Sequence, residues 1–522
     1  MRLAFSFLTP SPRGEGVGGG EMRDLSKLER GPPARTAPTL IDVCAPGGAR
    51  SKSTTLESHP APCPLPSRGG GACFLAAAAF ALALAAPVTP AHAQRQIEST
   101  TTQHGVDVER IVSPSGIEAW LVSDSTVPMI VMRAYWRGGS AIEPERVSGV
   151  TGVMADMMTE GAGALDANAF KERLQDLNMS LGFGASWDGV GMSLTTLSAN
   201  RDAAVEMARL ALHEPRFDAE PLARIKRQLL VGIRTRETNP SFIANLALDQ
   251  ALYPDHPYAR RTSRESVEAI SRAALQERRA ALLNRATLQI TIVGDIGAED
   301  AGRAVDAIFG ALPQGAAPAE PPDAVLRAPT PLIVRALPQP QSLVLFAGPG
   351  IQDEDPDWIP LAVANYILGG GGFSSRLMDQ VREQRGLVYG IGTGPSVREH
   401  AAVIRGSAQS ENADVREAID VTRAEMARFY RDGATQAEVD DAITYLTGSF
   451  ALDLDSNTKI ASVIHGVQTS GRDIGYINRR NDLIRAVTLA DVNRVARRLF
   501  NPDAFTFVVV GQPEGLERAA SE

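Results

Sequence analysis

Leu288-Gln289-Ile290-Thr291-Ile292-Val293-Gly294-Asp295 and Phe505-Thr506-Phe507-Val508-Val509-Val510-Gly511 are the two runs on which the reading of the fold turns. Each is short, nearly continuous in apolar and β-branched residues, and stops at glycine, the pattern of a buried strand. Each also follows a helical stretch and a short loop holding an asparagine, Asn284 in the first case and Asn501 in the second. Two such endings in one chain point to a duplicated α+β unit, two domains of roughly two hundred residues each.

Outward from the first run, strands and helices alternate. Ile117 to Val122 alternates as a strand and Met129 to Tyr135 is a stronger β run. Helical spacing covers Val150–Met158, Ala167–Leu177 and Arg201–Leu212, and a hairpin is expected from Gly182–Ser186 and Val190–Leu197. Longer helices are expected over Glu220–Thr235 and Ile243–Leu252, and a last one over Ala298–Leu312. The N-terminal domain is thus drawn at 98–312. Residues 313–331 carry Pro313, Pro318, Pro321, Pro322, Pro329 and Pro331 amid alanine and glycine, and read as an extended, poorly packed linker. The second domain, 332–516, repeats the plan. Strands are expected at Leu332–Ala336 and Ser342–Ala347, a helix at Trp358–Leu368, then a glycine loop and a second helix. Strands around Tyr389–Val397 and Ala402–Ala408 follow, with helices over Ala413–Arg431 and Gln436–Asp453.

The 522 residues carry a formal net charge of -9, which leaves no basic excess for general binding to nucleic-acid phosphates. Cys44, Cys63 and Cys73 all precede the domains, so neither a disulfide framework nor a thiolate metal site is available to the main body. Phe74 to Ala86 is apolar, follows Arg68, and leads to Ala91-His92-Ala93. This is the make-up of a signal peptide over 74–93, cleaved after Ala93, with export to the periplasm or beyond. An Ala-rich buried helix is the competing reading, and it lacks a polar face. Residues 1–73, rich in Gly, Pro, Ser and Arg, are expected to be a disordered leader or the result of a start placed too far upstream.

Several stretches are family-like in their order and spacing. The first half has Gly138-Gly139-Ser140-Ala141-Ile142-Glu143, then Gly149 to Met158, Arg236 to Pro240, His256-Pro257-Tyr258 and Val293-Gly294-Asp295. The second half has Leu368-Gly369-Gly370-Gly371-Gly372-Phe373-Ser374-Ser375-Arg376-Leu377 and Val381-Arg382-Glu383-Gln384-Arg385-Gly386-Leu387-Val388-Tyr389. On these the chain resembles the pitrilysin/insulinase zinc peptidases, the group that includes mitochondrial processing peptidase subunits. The resemblance implies two homologous α+β domains, mixed or antiparallel sheets packed with helices, closing as a clamshell around a chamber.

Active members carry H-x-x-E-H on the first long helix. Residues four apart share a helical face, so two imidazoles can hold one zinc while the neighbouring carboxylate activates its water. Here those positions hold Gly152, Ala155 and Asp156, and the distal glutamate position falls near Val231 or Gly232. Asp156 alone is a poor zinc site and reads as a solvated helix residue. The histidines, His59, His92, His104, His213, His256, His400 and His465, form no helical pair, and no serine elbow G-x-S-x-G is present. No catalytic residue and no cofactor is therefore expected in this chain, zinc being expected only in a partner.

What the resemblance retains is Arg382 and Tyr389, which match the family's substrate-contacting pair. A guanidinium and a phenol are donors suited to a carbonyl gaining negative charge. Pairing of Arg382 with Glu383 and packing of Tyr389 is the plain structural alternative. Gly386 is expected to end the helix that bears Arg382. Gly369, Gly370, Gly371 and Gly372 lack the lysine of a phosphate loop and are expected to form a flexible loop lining the chamber. The resemblance implies a non-catalytic, substrate-binding subunit that works in the periplasm with an H-x-x-E-H chain on peptide substrates. A scaffold or binding protein without a proteolytic partner is the alternative.

Overall fold

The computed structural model describes residues 105–516, so the leader and signal segment expected at 1–93 and all three cysteines lie outside the described residues. The first half contains β1 (Glu109–Val112), β2 (Glu118–Ser123), β3 (Met129–Arg137), α1 (Val150–Met157), α2 (Ala167–Asp176), β4 (Ser180–Ala185) and β5 (Gly189–Leu197). It continues with α3 (Arg201–His213), α4 (Ala219–Arg236), α5 (Pro240–Leu252), α6 (Arg264–Ala269), α7 (Arg272–Leu282), β6 (Gln289–Gly294) and α8 (Ala298–Phe309). The second half contains β7 (Ile333–Ala336), β8 (Gln341–Pro349), α9 (Trp358–Asn365), β9 (Ile391–Arg398), β10 (Ala401–Glu411) and α10 (Val415–Asp432). It ends with α11 (Gln436–Gly448), α12 (Asn457–Thr469), α13 (Tyr476–Arg485), α14 (Leu489–Leu499) and β11 (Thr506–Gly511).

The duplication is visible in the pairing. One sheet runs β1-β2-β6-β3-β5-β4 and the other β7-β11-β8-β10-β9. In both, the late strand lies parallel to the first repeat strand and antiparallel to the second: β6 between β2 and β3, β11 between β7 and β8. The two runs that opened the reading are these central strands. The first sheet adds only β1 at its edge.

Why those strands read as continuous apolar runs rather than alternating ones is answered by what covers them. On one face, Met132, Trp136, Met192, Ile290 and Ile292 pack against α1, α3 and α8 of their own half. On the other face, Trp120, Val122, Val131 and Val293 pack against Ala461, Ile464 and Val467 of α12, which belongs to the second half. The second sheet does the converse. Phe346, Phe507 and Val509 face helices of their own half, while Leu343, Ala347, Val403, Val508 and Val510 meet Ala244, Ala247 and Leu248 of α5 from the first half. Following the shared topology, α5 and α12 hold the same place in the two repeats. Each half lends one helix to the other's sheet, so neither sheet keeps an apolar face for water.

A polar clamp reinforces the exchange. Asp249 on α5, 8% exposed, accepts from Tyr253 Oη at 2.9 Å and from Arg398 on β9 at 3.2 Å, and pairs with Arg405 on β10. The Arg398 guanidinium lies 4.7 Å from the Tyr258 ring centre, 5.6 Å from Tyr253 and 5.7 Å from Trp187. Tyr258 in turn bonds Asp188 and receives the His400 amide at 3.2 Å.

Residues 313–331 form neither helix nor strand and are mostly exposed, held to the body at a few backbone points. Pro313 O accepts from Arg285 N at 3.0 Å, Ala324 N donates to His400 O at 2.7 Å, and Arg327 N donates to Leu252 O at 2.8 Å. The glycine run is no free loop: Tyr366–Gly370 is a π-helical turn continuing α9. Tyr389 precedes β9, which starts at Ile391, so it stands on the approach to the strand. Among the described residues no helix is long and apolar enough to cross a membrane.

Candidate functional site

The first-half helix α1 is firmly placed. Gly149 takes the left-handed conformation at its start, and the buried Glu143 carboxylate accepts from Gly149 N at 2.7 Å and Thr151 N at 2.6 Å. Acidic oxygens at a helix N-terminus satisfy free amides and oppose the helix dipole. Buried Arg278 ties the same turn down by donating to Thr151 Oγ1 at 2.8 Å and Gly139 O at 2.7 Å. On this well-held helix, a side chain added at Gly152 meets open space, Ala155 is buried, and Asp156 is exposed.

Crowding and the nearby charge of Glu160 push the Asp156 carboxyl above its ordinary range. Glu160 is itself committed, accepting from Lys171 at 2.9 Å and from Arg224 of α4 at 2.6 Å. At the distal position Val231 is exposed and Gly232 offers no donor. No group of three His, Cys, Asp or Glu among the described residues could hold a metal ion, so the donor set here does not fit zinc. His256 and His400, far apart in sequence, come within 6.4 Å ring to ring. Both serve the linker: His256 accepts from Tyr258 N on Nδ1 and donates from Nε2 to Pro322 O at 3.0 Å, while His400 Nδ1 lies 3.1 Å from Asp323.

The second-half residues do converge. Arg382 lies in a π-helical turn, Met378–Glu383, that ends at Gly386 with φ +69°, where a side chain is strained and glycine is not. Gly386 N donates to Arg382 O at 2.8 Å and Leu387 N to Val381 O at 3.0 Å, with both Val381 and Leu387 buried beneath. The chain is then pinned to β10: Ser410 Oγ donates to Leu387 O at 2.7 Å and Tyr389 N to Gln409 O at 3.4 Å. That anchoring turns the Tyr389 side chain outward, 82% exposed.

Arg382 pairs with Glu383, and its guanidinium also lies 4.7 Å from the Phe373 ring centre and 5.9 Å from that of Tyr389. Phe373 is itself 67% exposed. An arginine set between two exposed aromatic rings forms a row beside a cleft of about 570 Å³, lined also by Glu383, Gln409, Glu411 and Asp414. Phe373 was not singled out from sequence. The available signal was an aromatic directly after a glycine run, a position whose outward direction depends on the turn before it.

The glycines have separate roles. A Cβ at Gly369 would lie 2.4 Å from Thr393 Oγ1 and 2.9 Å from Thr393 N, and one at Gly370 2.5 Å from Asn365 Nδ2. Asn365 is fully buried and spans to β9, donating to Thr393 O at 3.1 Å and accepting from Thr393 Oγ1 at 2.8 Å. A Cβ at Gly371 would lie 2.8 Å from Tyr366 O. Only Gly372, at φ +56° and exposed, has the freedom expected of a loop. These glycines set the close approach of the π-helical turn to β9, and so the place of Phe373.

With the geometry established, similarities to other proteins can be set beside it. Residues 269–446, which include the Arg382 row, match the family model described as Peptidase M16 inactive domain. The Helicobacter pylori "Non-peptidase homolog YmxG" is 25% identical over 395 residues, 74% of this chain and 89% of that protein. The Bacillus subtilis "Uncharacterized zinc protease YmxG" is 23% identical over 404 residues, 76% of this chain and 96% of that protein. A solved peptidase M16 inactive domain from Pseudomonas fluorescens superposes with a TM-score of 0.73 at 28% identity, covering 80% of this chain and all of that one. The periplasmic protease PqqL of Escherichia coli matches with a TM-score of 0.67 at 13% identity, over 79% of this chain and 46% of that one, a likeness of fold alone.

Proposed function

We propose, from the premise that this chain belongs to the peptidase M16 family as an inactive member, that it is the substrate-holding subunit of a two-chain periplasmic peptidase. An H-x-x-E-H partner supplies zinc and the attacking water. Arg382 and Tyr389 hold the peptide carbonyl that gains negative charge, and Phe373 flanks it. The observation that carries this reading is the contrast between the halves: at the zinc positions α1 offers only Asp156, while the second half sets a half-buried arginine against two exposed aromatic rings beside a cleft. The Tyr389 phenol is left in water and the Arg382 guanidinium is paired with Glu383; both become stronger donors to a substrate carbonyl once a partner excludes solvent. The edge strand β4, Ser180–Ala185, has one unpaired side where an extended peptide can add by backbone hydrogen bonds.

Export is supported by the apolar run 74–86 with Ala91-His92-Ala93 behind it. The test is reconstitution of this chain with an M16 protein bearing H-x-x-E-H from the same cell. Arg382→Ala and Tyr389→Phe should each lower peptide turnover by the pair on the order of tenfold to a hundredfold, with the fold intact. Turnover by the H-x-x-E-H chain that is indifferent both to this subunit and to these variants would overturn the reading.

A further inference from the structure

The helices exchanged between the halves, α5 and α12, are both thirteen residues long. Laid position on position, Ala244 and Ala247 fall on Ala461 and Ile464, residues that cover the sheet in each case. Asn245 then falls on Ser462 and Asp249 on Gly466. At the first of these positions both helices receive an arginine from the sheet beneath. Arg405 Nη1 donates to Asn245 Oδ1 at 3.0 Å, and Arg133 Nη2 to Ser462 Oγ at 2.8 Å. The arginines stand on different strands, β10 and β3, yet meet the covering helix at one level. At the second position the repeats part. Asp249 neutralises Arg405, whereas Gly466 supplies no carboxylate to Arg133.

Arg133 is half-buried, and among the described residues the only hydrogen bond of its guanidinium is the one to Ser462. Its Nε is buried without a partner. Across the sheet its neighbours are Thr291 and Ser193, with Gly182 beyond, and all are neutral. His465 on α12 is held neutral as well: burial, then the Arg133 charge, push its imidazole well below the ordinary range. Burial also lowers the Arg133 guanidinium, with no carboxylate acting against it. A partly desolvated charge without a partner is costly, and a carboxylate relieves it, as Asp249 does in the other half. The approach is open. On the same face, β4 and β5 present Gly182, Gly184, Gly191 and Ser193, with Gly184 and Ser193 exposed.

We infer that Arg133, with Ser462 and His465, is a carboxylate-binding site, supplied from outside the chain where the second half supplies its own Asp249. The ligand is a single carboxylate, whether the side-chain or C-terminal group of a peptide or a small free acid. The site lies on the face of the first sheet away from α1, so it uses none of the zinc-motif positions and does not depend on the Arg382 row.

The test is isothermal titration calorimetry on the full chain without a peptidase partner, which keeps its outcome separate from that of the reconstitution. The probes are sodium acetate, acetamide, a blocked pentaalanine with a central glutamate, the same peptide with glutamine, and pentaalanine with a free C-terminus. Acetate and a carboxylate peptide should bind, and acetamide and the glutamine peptide should bind about tenfold more weakly or worse. Arg133→Met should remove that preference, while Arg133→Lys, which keeps the charge, should retain part of it. Gly466→Asp should abolish binding and raise the urea midpoint, because the carboxylate then comes from within. Circular dichroism checks each variant's fold, and an unfolded Arg133→Met leaves the other two to decide. A peptide bound more tightly than acetate assigns the site to a peptide chain; acetate bound as tightly as either peptide assigns it to small free acids. No binding of any carboxylate probe overturns the inference. So does equal binding of the carboxylates and their amides, or a preference unchanged in folded Arg133→Met or Gly466→Asp.

Discussion

Replacing Asp249 by alanine should loosen the exchange of helices between the halves, and its size can be worked from the clamp. Asp249 is 8% exposed and bonds Arg398, Arg405 and Tyr253 at once. Removing one member of a buried ion group costs about 3–5 kcal/mol, because the remaining charge is stranded. The Arg398 and Arg405 side chains keep 17% and 22% exposure, so both can recover some water, and the lower end, about 3 kcal/mol, applies. With a urea m-value of about 3 kcal/mol/M for a chain this large, the midpoint should fall by roughly 1 M. Trp187, stacked by Arg398, reports the transition by fluorescence. A second readout is the Tyr253 phenol, which burial and then the Asp249 charge hold up at about 12. Without Asp249 it should titrate lower in a spectrophotometric titration. A double-mutant cycle with Arg405→Ala isolates the pair. A loss below about 1 kcal/mol, or a coupling below about 0.5 kcal/mol, would refute the claim that this clamp holds the halves together.

Gly152→Ala should stabilise the chain by about 0.5–1 kcal/mol, since glycine is costly inside a helix and the added methyl meets open space; thermal unfolding checks it, and a loss would mean that α1 packs there. Gly369→Ala should destabilise by about 1–3 kcal/mol, because its Cβ would lie 2.4 Å from Thr393 Oγ1 and 2.9 Å from a backbone nitrogen; urea unfolding showing no change would sink the close-approach account. Glu438 gives a pH prediction. Burial opposes ionisation, yet Arg376 and Thr435 hold its carboxyl down at about 2 from an ordinary 4.5. Its folded value is depressed, so its stabilisation is complete above about 4.5 and lost as pH falls toward 2. Denaturation midpoints measured across that window should fall less steeply in Glu438→Gln than in the wild type.

The strands and their repetition were legible because their signal is local. Val508 and Val510 look one way and Phe507 and Val509 the other, and a strand covered on both faces shows an unbroken apolar run. The same run conceals what covers it. Nothing in Ala244, Ala247 and Leu248 says that their sheet lies in the other half, and α12, which covers the first sheet, did not stand out at all. An amphipathic helix specifies that it has a partner, not which one. The linker's attachment points were hidden for a related reason: prolines describe the backbone, whereas Ala324 and Arg327 are held by carbonyls of His400 and Leu252, groups distant in sequence. At the candidate site, Arg382, Tyr389 and the end at Gly386 were found by motif. Phe373 was not, because its direction is set by the contact of Gly369 with Thr393.

The state of α1 bears on how the missing zinc ligands should be understood. A helix whose role had lapsed altogether would have no need of a buried carboxylate at its start and a buried arginine across its first turn. Here Glu143 and Arg278 hold its start by three hydrogen bonds of 2.6–2.8 Å, while its outward zinc-motif positions offer a single carboxylate, Asp156. The helix therefore remains a structural wall: Val150, Val153, Met154 and Met157 are buried in the main core of the first half, and removing it would open that core. The second-half row differs in kind. Phe373 and Tyr389 contribute little to any core, yet the fold fixes both, one through the glycine turn against Thr393 and the other through bonds to β10. Exposed aromatic rings singly are ordinary. Two beside one guanidinium and a polar cleft, on backbone tied to the sheet, are unrewarded until something binds them, and that is the physical ground for proposing the substrate there rather than on α1.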